Sequence, residues 1–165
     1  MAALTPGTQA PDFTLPSVDG KRFSLREALA RGPVIAAFFK ISCPVCQFAF
    51  PFLERVYQAN GKGKVALIGI SQNDRKDTVS FLKEYGVTFP VLLDDTSAYP
   101  VSNAYGLTNV PSIFWIGQDG EIEISSVGWV RKDVEVIHGK ARAITGNGSV
   151  PVIRANEEVP DFRAG

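Results

Sequence analysis

Residues 34–46 read V-I-A-A-F-F-K-I-S-C-P-V-C. The first six are apolar without a break. A run of that length suits a strand covered on both faces, as in a parallel sheet flanked by helices. Pro44 then fits the first position of a helix, where its missing N–H costs nothing. From Pro44 to Asn60, Cys46, Phe50, Leu53 and Tyr57 recur at three- and four-residue steps, which is the helical period. The stretch therefore reads as strand, short loop and helix, and both cysteines of the chain lie at the junction. Pro51 lies inside the helical segment and predicts a kink.

Outward from this junction the same two patterns alternate. On the N-terminal side, Phe13–Leu15 and Arg22–Phe23 flank the turn Val18-Asp19-Gly20-Lys21, the cue for a small hairpin. Ser24 and Glu27 fit a capping box for a short helix ended by Gly32-Pro33. On the C-terminal side, Gly61-Lys62-Gly63 closes the first long helix and Val65–Ile70 is a second buried strand. Asp74 to Tyr85 reads as a helix with Val79, Leu82 and Tyr85 inward and Gly86 as its cap. A strand at 89–93 and a helix at 97–105 follow. Strands at 112–116 and 122–127 are joined by Gly117-Gln118-Asp119-Gly120, a hairpin signal. A helix at 134–144 comes last, and the tail from Gly146 lacks periodicity.

Strands alternating with helices, then a hairpin, specify an α/β fold with a central mixed sheet flanked by helices and an N-terminal extension hairpin. A chain of 165 residues is expected to form one domain. It divides into an extension over about 1–32, a core over about 33–145 and a tail over about 146–165. Seventeen basic and seventeen acidic residues cancel, so no charge excess points to nucleic acid or an anionic membrane. The longest apolar run is far too short to span a bilayer. The N-terminus, MAALTPGTQAPDF, lacks the features of a secretory signal, and the expected compartment is the cytoplasm.

Two thiols two residues apart have three uses. A disulfide closing so short a loop stabilises by only ~2 kcal/mol, against ~3 for a fifteen-residue loop, and structural disulfides are rare in the cytoplasm. Structural zinc wants four ligands; the chain offers two cysteines and one histidine, His138, expected on the surface of the last helix. A two-coordinate Cu(I) site stays open. The redox use draws most on the placement. Cys43 falls at the N-terminus of a helix, where partial positive charge stabilises a thiolate. Cys46, one turn on, faces the core, placed to attack a mixed disulfide at Cys43. A C-x-x-C pair after a buried strand and opening a helix marks dithiol exchange.

At these residues the chain resembles the thioredoxin-like superfamily. Within it, the resemblance is to the redoxin (AhpC/TSA) branch that includes the TlpA/ResA-type thiol-disulfide oxidoreductases and the peroxiredoxins. It runs from about Gly7 to Gly128: GTQAPDFTLPSVDGKRFSLREAL is similar to the branch's extension, FFKISCPVC stands at its active site, and YGVTFPVLLDD and YGLTNVPSIFWIGQDGEI match its later strands. Pro51 matches the kink proline of the active-site helix. The resemblance implies a thioredoxin-like fold and thiol-disulfide exchange through Cys43 and Cys46, with no metal or cofactor. It implies a cis-proline at Pro111 and a Val110 backbone that pairs with substrate. Phe39, Pro44 and Val45 would line the site. Substrates would be protein or small-molecule disulfides and thiols, with a thioredoxin or glutathione system as reductant. Trp129 is expected to pack.

Three departures from the pattern matter. Ala37 stands where thioredoxins bury a carboxylate six residues before the first cysteine; Lys40 and Gln72 are the candidates for handling the Cys46 proton in its place. The Thr or Ser that peroxiredoxins carry three residues before their peroxidatic cysteine is absent, with Lys40 and Cys43 at those places. TlpA-like proteins are usually exported, and no signal is visible. The alternatives to an oxidoreductase are an atypical, peroxiredoxin-like thiol peroxidase and a Cu(I)-binding protein.

Overall fold

The computed structural model describes residues 2–60, 63–146 and 150–165. The N-terminal hairpin pairs β1 (Thr14–Pro16) with β2 (Arg22–Ser24). Ser24 caps α1 (Leu25–Leu29), its Oγ accepting from the Glu27 N–H at 3.3 Å. The apolar run forms β3 (Val34–Phe39), buried at all six positions, and leads into α2 (Pro44–Asn60), which continues through Pro51. Then follow β4 (Ala66–Ser71), α3 (Arg75–Tyr85), β5 (Val91–Leu93) and α4 (Pro100–Ala104). The chain continues through β6 (Ser112–Ile116), β7 (Ile122–Val127), β8 (Trp129–Val130), α5 (Arg131–Thr145) and β9 (Phe162–Arg163).

The main sheet runs β5-β4-β3-β6-β7. The strand β3 lies at its centre, parallel to β4 and antiparallel to β6. Its alternating side chains divide the core. Ile35, Ala37 and Phe39 face α2, α3 and α5, with Phe50, Leu53, Phe81, Val134 and Ile137 in the same cluster. Val34, Ala36 and Phe38 face the other way, against the N-terminal hairpin, α1 and Tyr105. This is why the run carries no polar residue: neither face meets water. It is the mixed α/β sheet expected from the pattern.

Several boundaries differ from the sequence expectation, each for a local reason. The strand expected at 89–93 begins at Val91, because Pro90 has no N–H for the ladder; its carbonyl still accepts from Gly69 N–H at 2.9 Å. The helix expected at 97–105 begins at Pro100, since a residue before proline is driven out of the helical region; Tyr99 sits at φ 48°. On α3 the buried residues are Thr78 and Phe81, with Leu82 and Tyr85 partly covered. Gly86 caps that helix at φ 66° as expected. Of the expected helix stop Gly61-Lys62-Gly63, the first two lie outside the described residues.

The tail packs onto the core, and the surface position expected for His138 requires correction. Val152 and Ile153 are each only 4% exposed and belong to the core beneath α2 and α5. His138 is buried rather than on the surface. Its Nε2–H donates to the Val150 carbonyl at 2.6 Å, and Nδ1 faces Asn60 Nδ2 at 3.5 Å. Arg55 of α2 binds Glu157 through both nitrogens at 2.7 and 2.8 Å and gives a further bond to the Val152 carbonyl at 3.1 Å. Trp129 packs as expected, fully buried against Phe48 and Phe52, with its Nε1–H donating to the Pro160 carbonyl at 2.7 Å. The segment has no repeating hydrophobic period, so its order comes from individual long-range contacts.

Two predictions follow from this packing. Phe50 is fully buried, with ring centroids 4.4 Å from Phe39 and 5.7 Å from both Phe81 and Phe89. Phe50→Ala should cost about 3–5 kcal/mol, measured by urea unfolding. The Arg55 guanidinium beside Glu157, with a second bond from the Arg154 N–H, holds the Glu157 carboxyl down at about 2. A carboxyl depressed in the folded state stabilises above its unfolded value and loses that contribution as pH falls through the folded one. Glu157→Gln should therefore lower the urea midpoint at neutral pH, and the difference should close as pH drops from about 4.5 towards about 2.

Candidate active site

The site lies where β3 gives way to α2. After Phe39 the chain leaves the sheet, and four bonds shape the loop. The Ile41 N–H donates to Asn73 Oδ1 at 3.0 Å, and its carbonyl accepts from Gln47 Nε2 at 2.9 Å. The Cys43 N–H donates to the Lys40 carbonyl at 3.3 Å, and the Gln72 N–H to the Phe39 carbonyl at 3.0 Å. Pro44 then opens α2, and the Cys43 carbonyl accepts the first helical bond, from Gln47 N–H at 3.0 Å.

Cys43 is half-buried and Cys46 fully buried; both are thiols. The Cys46 N–H donates to Cys43 Sγ at 3.1 Å, so the first sulfur occupies the capping position of α2 and receives one of the helix's free N–H groups. Cys43 S–H in turn points at the Val110 carbonyl, 3.4 Å away. Burial pushes the Cys46 thiol far up, and the neighbouring Cys43 sulfur pushes it further, against a smaller lowering from the Lys40 backbone. The two sulfurs thus differ in kind: one is reachable from solvent and faces a helix N-terminus, and the other is a neutral thiol in the core.

The remaining sequence candidates fall in separate places. Val110-Pro111 is a cis peptide, and Val110 meets Cys43 directly. Pro44 is exposed at the rim, while Val45 is only 8% exposed and belongs to the core. Phe39 does not line the site: it is fully buried, its ring tilted against those of Phe50 and Phe81 at centroid distances of 4.4 and 4.9 Å. Lys40 is exposed, and it meets the cysteines through its backbone. The Gln72 amide donates to Ser102 Oγ at 3.1 Å, which donates to the buried Asp94 carboxylate at 2.7 Å. Among the described residues, no side-chain hydrogen bond joins Lys40 or Gln72 to either sulfur. Both line a cleft of about 200 Å³ beside Val110, with Leu107, Thr108 and Asn109. Asn73 and Gln47, which hold Ile41, carry no recognisable signature in the sequence.

Residues 6–125 match the AhpC/TSA family. The chain belongs to the AhpC/TSA family. Among curated relatives, the chain is 31% identical over 131 residues to the thiol-disulfide oxidoreductase ResA of Halalkalibacterium halodurans, covering 78% of this chain and 73% of that one. It is 28% identical over 132 residues to ResA of Geobacillus thermodenitrificans, covering 79% and 74%. The thioredoxin domain of a thiol-disulfide oxidoreductase from Bacteroides vulgatus superposes with a TM-score of 0.74 at 21% identity, covering 84% of this chain and 98% of that one. The fold is thioredoxin-like, and the chain is an oxidoreductase of the thiol-disulfide type with Cys43 and Cys46 as its C-x-x-C pair. Its substrates are thiols and disulfides, exchanged with redox partners. Among the described residues, no helix is long and apolar enough to cross a membrane.

The unequal sulfurs predict unequal labelling. Brief treatment of the reduced native protein with iodoacetamide at neutral pH should alkylate Cys43 and leave Cys46 free. Both should label in denaturant, as read by peptide mass spectrometry.

Proposed function

We propose that Cys43 is the attacking sulfur and Cys46 the resolving one in the reduction of protein or small-molecule disulfides. The observation that carries this reading is the Cys46 N–H aimed at a solvent-reachable Cys43 Sγ, with the second sulfur fully buried one turn behind. The Cys43 thiolate attacks one substrate sulfur; a Sγ–S bond forms and the substrate S–S bond breaks. The first leaving thiolate takes a proton. Cys46 then loses its proton and attacks Cys43 Sγ, forming the Cys43–Cys46 disulfide and releasing the second substrate sulfur as a thiol. Two electrons pass from the dithiol to the substrate, and the two cysteine protons are balanced by the two product thiols. The reverse sequence oxidises a dithiol substrate.

Val110 is the proposed backbone partner of the substrate, because its carbonyl already lies against the reacting sulfur. For Lys40 and Gln72 the proposed role moves from handling the Cys46 proton to the rim of the adjoining cleft, with Lys40 supplying positive charge and Gln72 a polar wall. A thioredoxin or glutathione system is the proposed reductant that restores the dithiol. The proposed compartment is the cytoplasm, on the sequence expectation, and fractionation of native cells checks it. The comparisons favour neither the peroxidase nor the copper reading.

Thiol trapping tests the assignment. Cys46→Ser should accumulate a mixed disulfide at Cys43 with insulin chains, visible on a non-reducing gel and released by dithiothreitol. Cys43→Ser should fall to the uncatalysed rate of insulin reduction. Trapping through position 46 in Cys43→Ser, with none in Cys46→Ser, would reverse the roles.

A further inference from the structure

Residues 159–165 close one side of the exchange site, and the chemistry above does not use them. Their path is fixed step by step. The carbonyls of Val159 and Asp161 accept from Arg131 Nη1 and the Arg131 N–H at 3.2 and 2.9 Å, and that of Pro160 from Trp129 Nε1 at 2.7 Å. Phe162 and Arg163 pair with Val130 and Trp129. The Arg163 guanidinium lies 4.9 Å from the ring centre of Phe48, two residues past Cys46 on α2. Gly165 then reaches the cis-proline loop. Asn109 Nδ2 donates to its carbonyl at 3.1 Å, and a β-carbon at position 165 would collide with the Val110 carbonyl oxygen. That same oxygen accepts the Cys43 S–H. The segment and the reacting sulfur therefore meet at one carbonyl.

The contact is close but lightly held. Gly128, at φ 76°, gives the segment room: a β-carbon there would come within 2.5 Å of the Arg163 carbonyl oxygen and 3.1 Å of the Gly165 nitrogen. The β8–β9 ladder is two residues long. Phe162 stays 60% exposed, so burial of its ring does not fasten the segment. Past Arg163, the Asn109 side chain is the latch.

We infer that residues 162–165 form a strap that selects substrates by size, an inference that rests on the exchange reading above. A small disulfide reaches Cys43 beside the strap. An extended polypeptide that pairs with the Val110 backbone needs the space Gly165 holds and has to lift the strap first. Lifting the tip past Arg163 breaks the Asn109 bond while the β8–β9 pairing stays; one such bond corresponds to about two- to tenfold in rate.

The test compares the reduced wild type, a variant lacking residues 162–165, and Asn109→Ala, which keeps the chain whole. Each is oxidised by hydroxyethyl disulfide and, separately, by insulin; quenched maleimide labelling follows loss of the two protein thiols. The ratio of the insulin rate to the hydroxyethyl disulfide rate should rise about two- to tenfold in both variants. If the shortened chain fails to fold, Asn109→Ala alone decides. An unchanged or lower ratio overturns the strap and leaves the exchange reading standing. Failure of wild type to react with either disulfide overturns the exchange reading and the strap with it.

Discussion

The backbone N–H of Cys46 points at the sulfur of Cys43 across 3.1 Å, and the position of that one donor depends on both faces of β3 being covered. The strand is the middle of the sheet, held by β4 on one side and β6 on the other. Its even residues bed on the hairpin layer and its odd residues on the helical layer. With six residues fixed from both sides, the exit of the strand at Phe39 has one direction. Asn73 and Gln47 then grip Ile41, and Pro44 starts the helix without a hydrogen bond to lose. The first turn of α2 is thereby set against Cys43 by packing that reaches through the whole sheet.

Much of this was legible because it is written in local patterns. The unbroken run at 34–39, the three-and-four spacing after Pro44, the Ser24 cap and the Gly86 stop each act over a few residues, and each forms in the structure. Where two local signals compete, the stricter one wins: Pro90 and Pro100 trimmed elements that apolar content alone would have extended. The tail left no such trace. Val152, Glu157 and Pro160 are ordered by Arg55 and Trp129, residues far away in sequence. The burial of His138 follows from the same crossing, since Val150 supplies its acceptor.

The site divides the same way. Cys43 and Cys46 declare themselves by spacing and by their place at a strand-to-helix junction. Lys40 and Gln72 stood out by nearness in sequence or by strand end, yet direction of the side chain is a tertiary property. The Gln72 amide turns to Ser102 and thence to Asp94, and the Lys40 ammonium turns outward. Phe39 stands one residue from the loop but belongs to the odd-numbered face of β3. Alternation, which the run itself hides by being apolar throughout, sends its ring into the core.

Ala37 lies on that same odd-numbered face, in the apolar cluster that also holds Cys46. A carboxylate there would need a partner or would be driven neutral; a methyl group needs neither. The consequence falls on the order of events. Burial is the main reason the Cys46 thiol resists ionisation, and the hydrogen bond to Cys43 and the Cys43 charge add to it. In the exchange proposed above, a Cys43 bonded to a substrate sulfur carries no charge, so the Coulombic part of that rise lasts only while Cys43 is free. The lowering that comes from the Lys40 backbone remains. In this chain the charge on the first sulfur, rather than a buried acid, is the ionisable neighbour that bears on the second.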